Sequence, residues 1–399
     1  MNEPLAITGL GAVTPLGVGA EALFERWCAR ECGLRDGVGS CDEFDVSAVM
    51  SPKEERRSDR FTQLLVAAAD EAVEQAGWSG GLPYPADRVA CVVGTGIGGI
   101  ITMEDQLRVL REQGGRRVSP LAVPSMMPNA AAAAVAIRYG AQGECFCTAA
   151  ACAASAHAIG VGVSLLCSGD SDAVIVGGAE AALTELTEAA FANMGATSPS
   201  GESRPFDRRR DGFVLSEGAG VVILERRDAA LERGAEPIGE LLGYGASCDA
   251  FHLTAPQAEG NGAAVAMERA LEGAGVAPAA LDYVNAHGTS TPLNDRSETL
   301  ALKRVLGATA QRVPVSSTKS AIGHLLGACG TVEAVATVLS LRRRCAPPTL
   351  GYAEPEEDLD LDYVPDGPRE IGGEGSEPLI GLSNTFGFGG HNAAVVIRA

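Results

Sequence analysis

The sequence predicts an α/β protein with at least one largely parallel β-sheet that is covered by helices on both faces. Apolar, strand-like runs alternate with amphipathic or alanine-rich runs throughout the chain. Such alternation is typical of parallel strands that are connected through helices. The chain has 399 residues, of which 46% are hydrophobic, and can therefore bury a large core. No proline-rich or serine-rich linker divides it, so we expect two halves in intimate contact, residues 1–240 and 241–399.

The individual elements are predicted from local patterns of apolar residues. Short runs rich in aliphatic residues indicate buried strands, and longer periodic runs indicate helices. In chain order we expect a strand at Leu5–Thr8 and a helix near Glu21–Ala29, a strand at Arg88–Val93 and a helix at Ile100–Arg111, strands at Asp172–Val176 and Val221–Glu225, a strand at Tyr283–Ala286 and a helix at Arg296–Val305, a strand at Val313–Ser316 and a helix at Gly327–Arg342, and a strand at Ala393–Ile397. No internal repeat is apparent.

Composition and charge argue against several classes of protein. The net charge is −20, which disfavours a general nucleic-acid binder and a protein held on anionic membranes. The sequence lacks a run of about 20 apolar residues, as a membrane span requires, and its start lacks the pattern of a signal peptide. The 11 cysteines are an odd number without zinc-ligand spacing. These features predict reduced thiols, a cytoplasmic location and no bound metal.

One glycine-rich segment allows two interpretations. Gly94–Gly99 has the G-x-G-x-x-G spacing of dinucleotide-binding loops and lies between a predicted strand and a predicted helix. However, the position about 20 residues further on, where such sites carry an acidic partner for the ribose, falls within Gly115–Val118. We therefore favour close backbone packing, or the wall of a narrow pocket, over nucleotide binding.

A thiol and two imidazoles occupy positions that suit covalent catalysis. Cys152 follows an apolar run and opens a segment of small residues, which predicts a cysteine at the first turn of a helix. Backbone N–H groups and the helix dipole at such a terminus favour the thiolate, the nucleophilic form. His287 and His324 each adjoin a glycine in a loop after a predicted strand, where α/β folds carry reactive groups. The sequence thus predicts an enzyme that makes and breaks thioesters.

Several motifs in combination resemble the elongating type II β-ketoacyl-acyl carrier protein synthases, which are thiolase-fold condensing enzymes. The resemblance runs nearly from end to end of the chain. It rests on Ala151-Cys152-Ala153, His287–Pro292, Lys319 with Gly323-His324, Arg204–Asp207 with Asp211–Phe213, and Asn384–Gly390. The chain departs from the family pattern at Ala150 and His391, where threonine is common. The resemblance implies a layered αβαβα fold with two pseudo-equivalent halves.

The resemblance also implies the roles of the reacting groups. Cys152 would accept the acyl group, and the backbone N–H groups of Cys152 and Phe388 would hold the oxyanion. His287 and His324 would polarise the thioester oxygen of a malonyl group while it loses carbon dioxide. Decarboxylation itself generates the carbon nucleophile, so a general base is not required.

Further residues would support this chemistry. Lys319 would form a buried ion pair with Glu333, because an unpaired buried charge is costly. Ile97 would line the far end of the acyl tunnel and help to set chain length. The mobile gate that admits the acyl chain would consist of Phe386, Gly387 and Phe388.

The partner implied by the resemblance is an acidic acyl carrier protein, which predicts a basic docking surface. Substrates travel on the phosphopantetheine of that carrier, so no other cofactor is expected. The family is dimeric, so we expect a homodimer. The arginines that match family positions near the entrance are Arg56, Arg57, Arg116, Arg117 and Arg204.

The motifs leave the pathway open. A thiolase would need a second catalytic cysteine near the C terminus, and no cysteine follows Cys345. A starter-type synthase would carry asparagine at His324, and a chain-length partner subunit would lack the nucleophile. Chain elongation in fatty-acid synthesis is the predicted function. The alternative is a ketosynthase of a dedicated type II polyketide or polyene pathway, possibly in a heterodimer with a chain-length partner.

Overall fold

Strands and helices alternate along the structure, a computed structural model that describes residues 3–373, 375 and 377–399. The strands in these residues are β1 (Leu5–Thr14), β2 (Gly17–Val18), β3 (Val38–Gly39), β4 (Val89–Gly94), β5 (Cys145–Thr148), β6 (Ala173–Glu180), β7 (Leu215–Ser216), β8 (Gly218–Arg226), β9 (Gly239–Cys248), β10 (Tyr283–Asn285), β11 (Val315–Ser316), β12 (Cys345–Ala346), β13 (Arg369–Glu370), β14 (Ile380–Gly387) and β15 (His391–Arg398).

The helices are α1 (Ala20–Cys28), α2 (Pro52–Glu55), α3 (Arg60–Gln75), α4 (Ile100–Gln113), α5 (Ala122–Met126), α6 (Ala130–Tyr139), α7 (Ala154–Ser168), α8 (Glu185–Met194), α9 (Arg227–Glu232), α10 (Asn261–Ala274), α11 (Pro292–Leu306), α12 (Lys319–Ile322) and α13 (Cys329–Arg342). Each strand and helix predicted from the sequence overlaps one of these elements.

The chain passes twice through the same arrangement of five strands. The first half uses β1, β4, β5, β6 and β8, and the second half uses β9, β10, β11, β14 and β15. The strands of the first half lie side by side in the order β5-β4-β6-β8-β1, and those of the second half in the order β11-β10-β14-β15-β9. Counted along the chain, both orders are third, second, fourth, fifth and first. The two first strands pair at Leu5↔Leu241 and Ile7↔Gly239, which joins the halves into one 11-stranded sheet. The boundary expected near residue 240 falls at the start of β9.

Each half-sheet is mixed, and the prediction of a largely parallel sheet was wrong. β4 pairs in parallel with β5 and β6, and β10 pairs in parallel with β11 and β14. In contrast, β8 and β15 run antiparallel to both of their neighbours. β14 and β15 are separated only by Phe388–Gly390. So short a connection joins antiparallel strands, because a parallel pair needs a long crossover.

Five layers result from helices packed on both faces of the two half-sheets. α7 and α13 lie between the half-sheets, where Ile159 and Val163 belong to the same apolar cluster as Val332 and Val335. α3 and α6 cover the outer face of the first half, and α10 and α11 cover that of the second. Alternate residues of β4 belong to the central and the outer cluster, as expected for a strand buried on both faces. This is the αβαβα order that the resemblance implied.

The apolar stretch Ala151–Ser168 of the central layer is long and apolar enough to cross a membrane, judged by length and composition alone. However, 67% of this stretch is buried inside the protein, where α7 packs between the half-sheets. A helix that is apolar on every side is expected at such a position. Burial of α7 in the core therefore accounts for the apolar composition of this stretch.

Helix α3 lies directly on the backbone of β1 because two glycines remove the side chains between them. A Cβ atom on Gly9 would lie 2.0 Å from the carbonyl oxygen of Ala72, and one on Gly11 would lie 1.9 Å from that of Ala68. Protein interiors are close-packed, so a larger residue at either position has to push the helix away from the sheet.

We predict that Gly11→Ala lowers the free energy of unfolding by about 1–3 kcal/mol, because the added methyl group overpacks the contact between α3 and β1. Gly80→Ala is the matched control, since a Cβ atom there meets no atom within 4 Å. Its effect should stay within about 0.5 kcal/mol. Urea denaturation measures both values, and equal stability of the two variants would contradict the direct contact of helix and sheet.

Candidate active site

A cavity of about 420 Å³ opens where loops from both halves meet. In α/β sheets, the loops that carry chemistry gather at the carboxyl ends of parallel strands. Here the loops after β4 and β5 of the first half face those after β10 and β11 of the second. Cys152, His287 and His324 all line the cavity. The structure therefore brings together the thiol and the two imidazoles that the sequence singled out.

Cys152 lies in a sharp turn between β5 and α7. The helix begins at Ala154, after the capping residue Ala153, so the prediction of a cysteine within the first helical turn was wrong by two residues. The preceding residue, Ala151, has a φ of 47°, in the left-handed region that residues other than glycine rarely adopt. This turn places the side chain of Cys152 ahead of the helix, against the cavity.

Burial raises the pKa of the Cys152 thiol to about 11. The positive charge of Lys319 and the backbone N–H group of Phe388 act in the opposite direction and lower this pKa. The expectation that the helix terminus favours the thiolate is therefore corrected, because desolvation of the charged form outweighs the donors around it. The side chain of Cys152 is therefore a neutral thiol near pH 7.

The backbone N–H groups of Phe388 and Cys152 lower the pKa of the Cys152 thiol and thus favour negative charge at this position. A Cβ atom on Gly387 would lie 3.0 Å from the backbone nitrogen of Cys152. Glycine at this position lets the loop after β14 approach the turn of the nucleophile. Two N–H donors directed at the site of reaction form the arrangement that an oxyanion hole requires.

The two imidazole rings lie edge to face, with 5.4 Å between the centroids of His287 and His324. The Nζ atom of Lys319 is 3.2 Å from Nδ1 of His287, and the N–H group of Leu326 donates to Nδ1 of His324 over 3.1 Å. Because each Nδ1 faces an N–H donor, it acts as an acceptor, and the ring proton lies on Nε2. Both histidines therefore present an N–H donor from their other ring nitrogen.

Burial holds the pKa values of His287 and His324 well below the ordinary range, and the charge of Lys319 lowers them further. Both rings are therefore neutral near pH 7. Neutral imidazole N–H groups can donate hydrogen bonds to a developing oxyanion without first losing a proton. This fits the role of polarising a thioester oxygen.

Lys319 and Glu333 form a salt bridge, and their side chains are 1% and 2% exposed. The structure thus forms the ion pair that the resemblance implied. Burial alone would lower the pKa of Lys319, but Cys329 and Glu333 hold it above its ordinary value. Burial raises the pKa of Glu333 to about 7, although Lys319 acts against this shift. The lysine therefore keeps its proton and serves as a fixed positive charge beside His287.

The loop expected to act as a gate lines the cavity with Phe386, Gly387 and Phe388. The ring of Phe386 packs against that of His287, with 5.7 Å between centroids. The loop continues through Gly389, whose N–H group donates to the carbonyl oxygen of Leu253 over 2.7 Å. Its position between nucleophile and histidine fits the predicted gate, and its motion stays a prediction.

Ile97 lines the cavity as expected, whereas the five arginines differ among themselves. Arg204 is half-buried and paired with Glu202, and its backbone nitrogen donates to Ser290, between two cavity-lining threonines. The other four arginines lie on the surface of the first half, without ion-pair partners among the described residues. These four are Arg56, Arg57, Arg116 and Arg117. Their role in docking stays a prediction.

Glu298, which was not among the residues predicted from the sequence, is a fully buried carboxylate on α11. Its oxygens accept hydrogen bonds from the backbone N–H groups of His287 and Gly288, both over 2.8 Å. The carboxylate thus fixes the loop that carries the imidazole of His287. A signal was present, because Glu298 lies at helical spacing from Leu302 and Leu306 on the apolar face of the helix, where an acid is unusual.

Among the described residues, no group of three or more His, Cys, Asp and Glu side chains is placed to hold a metal ion. Metal and cofactor content stay predictions. The site consists of side chains and backbone donors of the chain itself. A buried thiol that faces two neutral imidazoles at the junction of a duplicated, five-layered α/β fold defines a condensing enzyme of the thiolase fold, and hence an acyltransferase.

Comparisons with known proteins identify the family. Residues 33–230 match the family model of the β-ketoacyl synthase N-terminal domain, and residues 238–353 match that of the C-terminal domain. The chain is 42% identical to a 3-oxoacyl-[acyl-carrier-protein] synthase 2 from Synechocystis sp., covering 100% of this chain and 98% of the relative. A protein of the same name from Rhizobium meliloti is 41% identical, and the alignment covers 99% of this chain and 98% of that relative. The chain therefore belongs to the β-ketoacyl synthase family.

Solved structures agree with this assignment. A β-ketoacyl synthase from Burkholderia phymatum is similar with a TM-score of 0.91 and 32% identity. The ishigamide ketosynthase/chain length factor has a TM-score of 0.90 and 30% identity. A ketosynthase in complex with its type II polyketide acyl carrier protein has a TM-score of 0.88 and 28% identity. Each alignment covers 99% of this chain and 99% of the other.

We predict that Glu333→Ala abolishes condensation and lowers the free energy of unfolding by about 3–5 kcal/mol, because it leaves the buried ammonium of Lys319 without its partner. The matched control is Glu21→Ala, which breaks an exposed pair with Arg343 and should cost no more than about 1 kcal/mol. Activity assays and urea denaturation provide the two measurements. An active Glu333→Ala enzyme of unchanged stability would refute the importance of the pair.

Proposed function

We propose that the chain catalyses the decarboxylative condensation of an acyl-Cys152 intermediate with malonyl-acyl carrier protein, giving 3-oxoacyl-acyl carrier protein in fatty-acid chain elongation. The observation that carries this proposal is the convergence of Cys152, His287 and His324 on one cavity. Support also comes from full-length relatives that are named 3-oxoacyl-[acyl-carrier-protein] synthase 2.

In the first half-reaction, the sulfur of Cys152 attacks the carbonyl carbon of an acyl thioester. A C–S bond to the enzyme forms, the bond to the carrier sulfur breaks, and the thiol proton passes to the departing carrier thiol. The oxyanion of the tetrahedral intermediate lies near the N–H groups of Cys152 and Phe388. Donors of this kind typically contribute about 3 kcal/mol each.

In the second half-reaction, the malonyl thioester loses carbon dioxide, and the electron pair of the broken C–C bond forms an enolate. The Nε2–H groups of His287 and His324 stabilise the enolate oxygen. The enolate carbon then attacks the acyl-Cys152 carbonyl, a C–C bond forms, and the cysteine sulfur leaves as a thiolate that takes up a proton from solvent. No general base is needed, which fits a pair of neutral imidazoles.

A dimer is part of the proposal. β5 forms one end of the large sheet, and an edge strand presents unpaired backbone groups that another chain can cover. Large apolar side chains are exposed on helices α4, α5 and α6 of the first half, among them Leu107, Leu110, Val123 and Ile137. Contiguous exposed apolar surface is typical of protein interfaces. We propose a homodimer in the cytoplasm, where the free thiols of this chain stay reduced.

A second candidate is supported by the solved structures. One similar structure is named as a ketosynthase with its chain length factor, and another as a type II polyketide ketosynthase with its acyl carrier protein. A ketosynthase of a polyketide or polyene pathway would use the same cysteine and histidines. Such an enzyme would assemble with a chain-length partner into a heterodimer, so the composition of the assembly distinguishes the two candidates.

The reaction is tested by incubating the enzyme with acyl- and malonyl-acyl carrier protein and measuring the intact mass of enzyme and products. We expect an acyl adduct at Cys152 and a 3-oxoacyl product in the wild-type enzyme. Cys152→Ala should form neither, and His324→Ala should be acylated without condensing. Cys167→Ala, which changes an exposed cysteine, is the control and should behave as wild type. Condensation by Cys152→Ala would overturn the proposal.

Docking of an acidic carrier protein is tested by reversing charge at Arg116 and Arg117 together. The double change to glutamate should raise the KM for carrier-bound substrate by about tenfold, because long-range attraction to the carrier is lost. The KM for small acyl thioesters should change by less than about twofold. Arg312→Glu is the control, since this exposed arginine precedes β11 at the end away from the cavity. Equal effects on both substrates would indicate misfolding.

A further inference from the structure

The glycine loop after β4 surrounds a carboxylate from the chain itself. Glu180 is the last residue of β6 and is 0% exposed. The N–H group of Gly96 donates to its Oε2 over 2.6 Å, and the N–H group of Ile97 donates to its Oε1 over 3.1 Å. The Thr95 hydroxyl and the Gly98 N–H group add contacts of 3.0 and 3.4 Å. The G-x-G-x-x-G segment is therefore an anion-binding loop whose anion is Glu180.

The same carboxylate also reaches the second half of the fold. The N–H group of Gly327 donates to Oε2 of Glu180 over 3.0 Å. A Cβ atom on Gly327 would lie 2.2 Å from the backbone nitrogen of Gly96, so the two backbones touch at this point. Gly327 directly follows Leu326, whose N–H group donates to Nδ1 of His324. One side chain thus connects the wall of the acyl cavity with the turn that orients a catalytic imidazole.

Burial raises the pKa of Glu180, but the hydrogen bonds from Gly96 and Gly327 act against this shift and favour the ionised carboxylate. Each hydrogen bond that the described residues make with its oxygens comes from an N–H or O–H donor. A protonated carboxyl group would direct its own hydrogen at one of these donors. Hydrogen bonds to a charged acceptor are the stronger kind, which suits the fixing of a loop. A phosphate group of a ligand would have to displace this buried carboxylate.

We propose that Glu180 is a positioning residue that fixes Ile97 and thereby sets which acyl chain lengths Cys152 accepts. The proposal rests on the acyl-transfer function proposed above. Ile97 lines the cavity, and its own N–H group bonds to Glu180. A wall residue whose backbone is tied to a buried charge keeps its place when a long acyl chain presses on it. Without that bond the loop can yield, and the cavity becomes deeper.

Glu180→Gln is the variant that tests this inference. The amide keeps the size of the side chain. However, its NH2 group takes the place of the second carboxylate oxygen, so a donor then faces the N–H donors of the loop. Glu225→Gln is the matched control. Glu225 is also 0% exposed, lies on the neighbouring strand β8, and bonds to Tyr84 and Arg233, neither of which lines the cavity.

The first measurement is the rate at which hexanoyl and palmitoyl thioesters acylate Cys152, followed by intact mass. We expect Glu180→Gln to shift the ratio of the two rates by about tenfold toward palmitoyl, a factor that corresponds to one lost hydrogen bond to a charged group. Ile97→Phe, which shortens the cavity, should shift the ratio toward hexanoyl. Glu225→Gln should leave the ratio unchanged.

The second measurement is the pH dependence of iodoacetamide alkylation, read at the Cys152 peptide. Lys319, His287, His324, Cys329 and Glu180 are the titratable groups around this thiol. The charge of Glu180 raises the pKa of Cys152. Its removal should therefore move the alkylation profile of Glu180→Gln to lower pH. A residue that only stabilised the fold would leave this profile in place, as Glu225→Gln should.

The outcomes separate this inference from the proposed function. Failure of the wild-type enzyme to form acyl-Cys152 would overturn the proposed function. A wild-type enzyme that is acylated, with the same chain-length ratio in Glu180→Gln, would overturn the role of Glu180. If Glu180→Gln does not fold, Thr95→Val removes one donor to the carboxylate and should shift the ratio in the same direction by a smaller factor. An unchanged ratio in Thr95→Val would then overturn the inference.

Discussion

The site depends on the positive charge of Lys319, which is buried at the junction of the two halves. Its ammonium group faces Nδ1 of His287 and pairs with Glu333. The same charge lowers the pKa values of Cys152 and His324. A buried charge acts over a longer range than a surface charge, because little water screens it. Burial is the larger cause of each pKa shift, and the charge of this one lysine lowers the pKa values of Cys152 and of both imidazoles in addition.

The duplicated fold explains where the reacting groups lie. Cys152 stands between the third strand and the central helix of the first half, and His324 stands at the corresponding place in the second half. The connection in the second half is longer and includes α12, which begins with Lys319. Likewise, the loop with Ile97 follows the second strand of its half, as the loop with His287 does. The cavity is built from two sets of equivalent loops.

A buried carboxylate fixes the loop after the second strand in each half. Glu180 accepts from the backbone N–H groups of Gly96 and Ile97, and Glu298 accepts from those of His287 and Gly288. Loops carry unpaired backbone donors, and a buried donor without a partner is costly. A charged acceptor satisfies several such donors and keeps the loop in one conformation. Preorganisation of this kind suits a site where oxyanions form.

The sequence by itself predicted part of the strands and helices in their order and singled out Cys152, His287 and His324, because apolar periodicity and short motifs are local. Tertiary structure alone decided the repeat of the two halves, the mixed strand directions and the pKa of Cys152. Each of these depends on contacts between residues that are distant in the chain or on the loss of water around a group. Glu180 illustrates this limit, since its partners Gly96 and Gly327 lie 84 and 147 residues away, and only folding places them around one carboxylate.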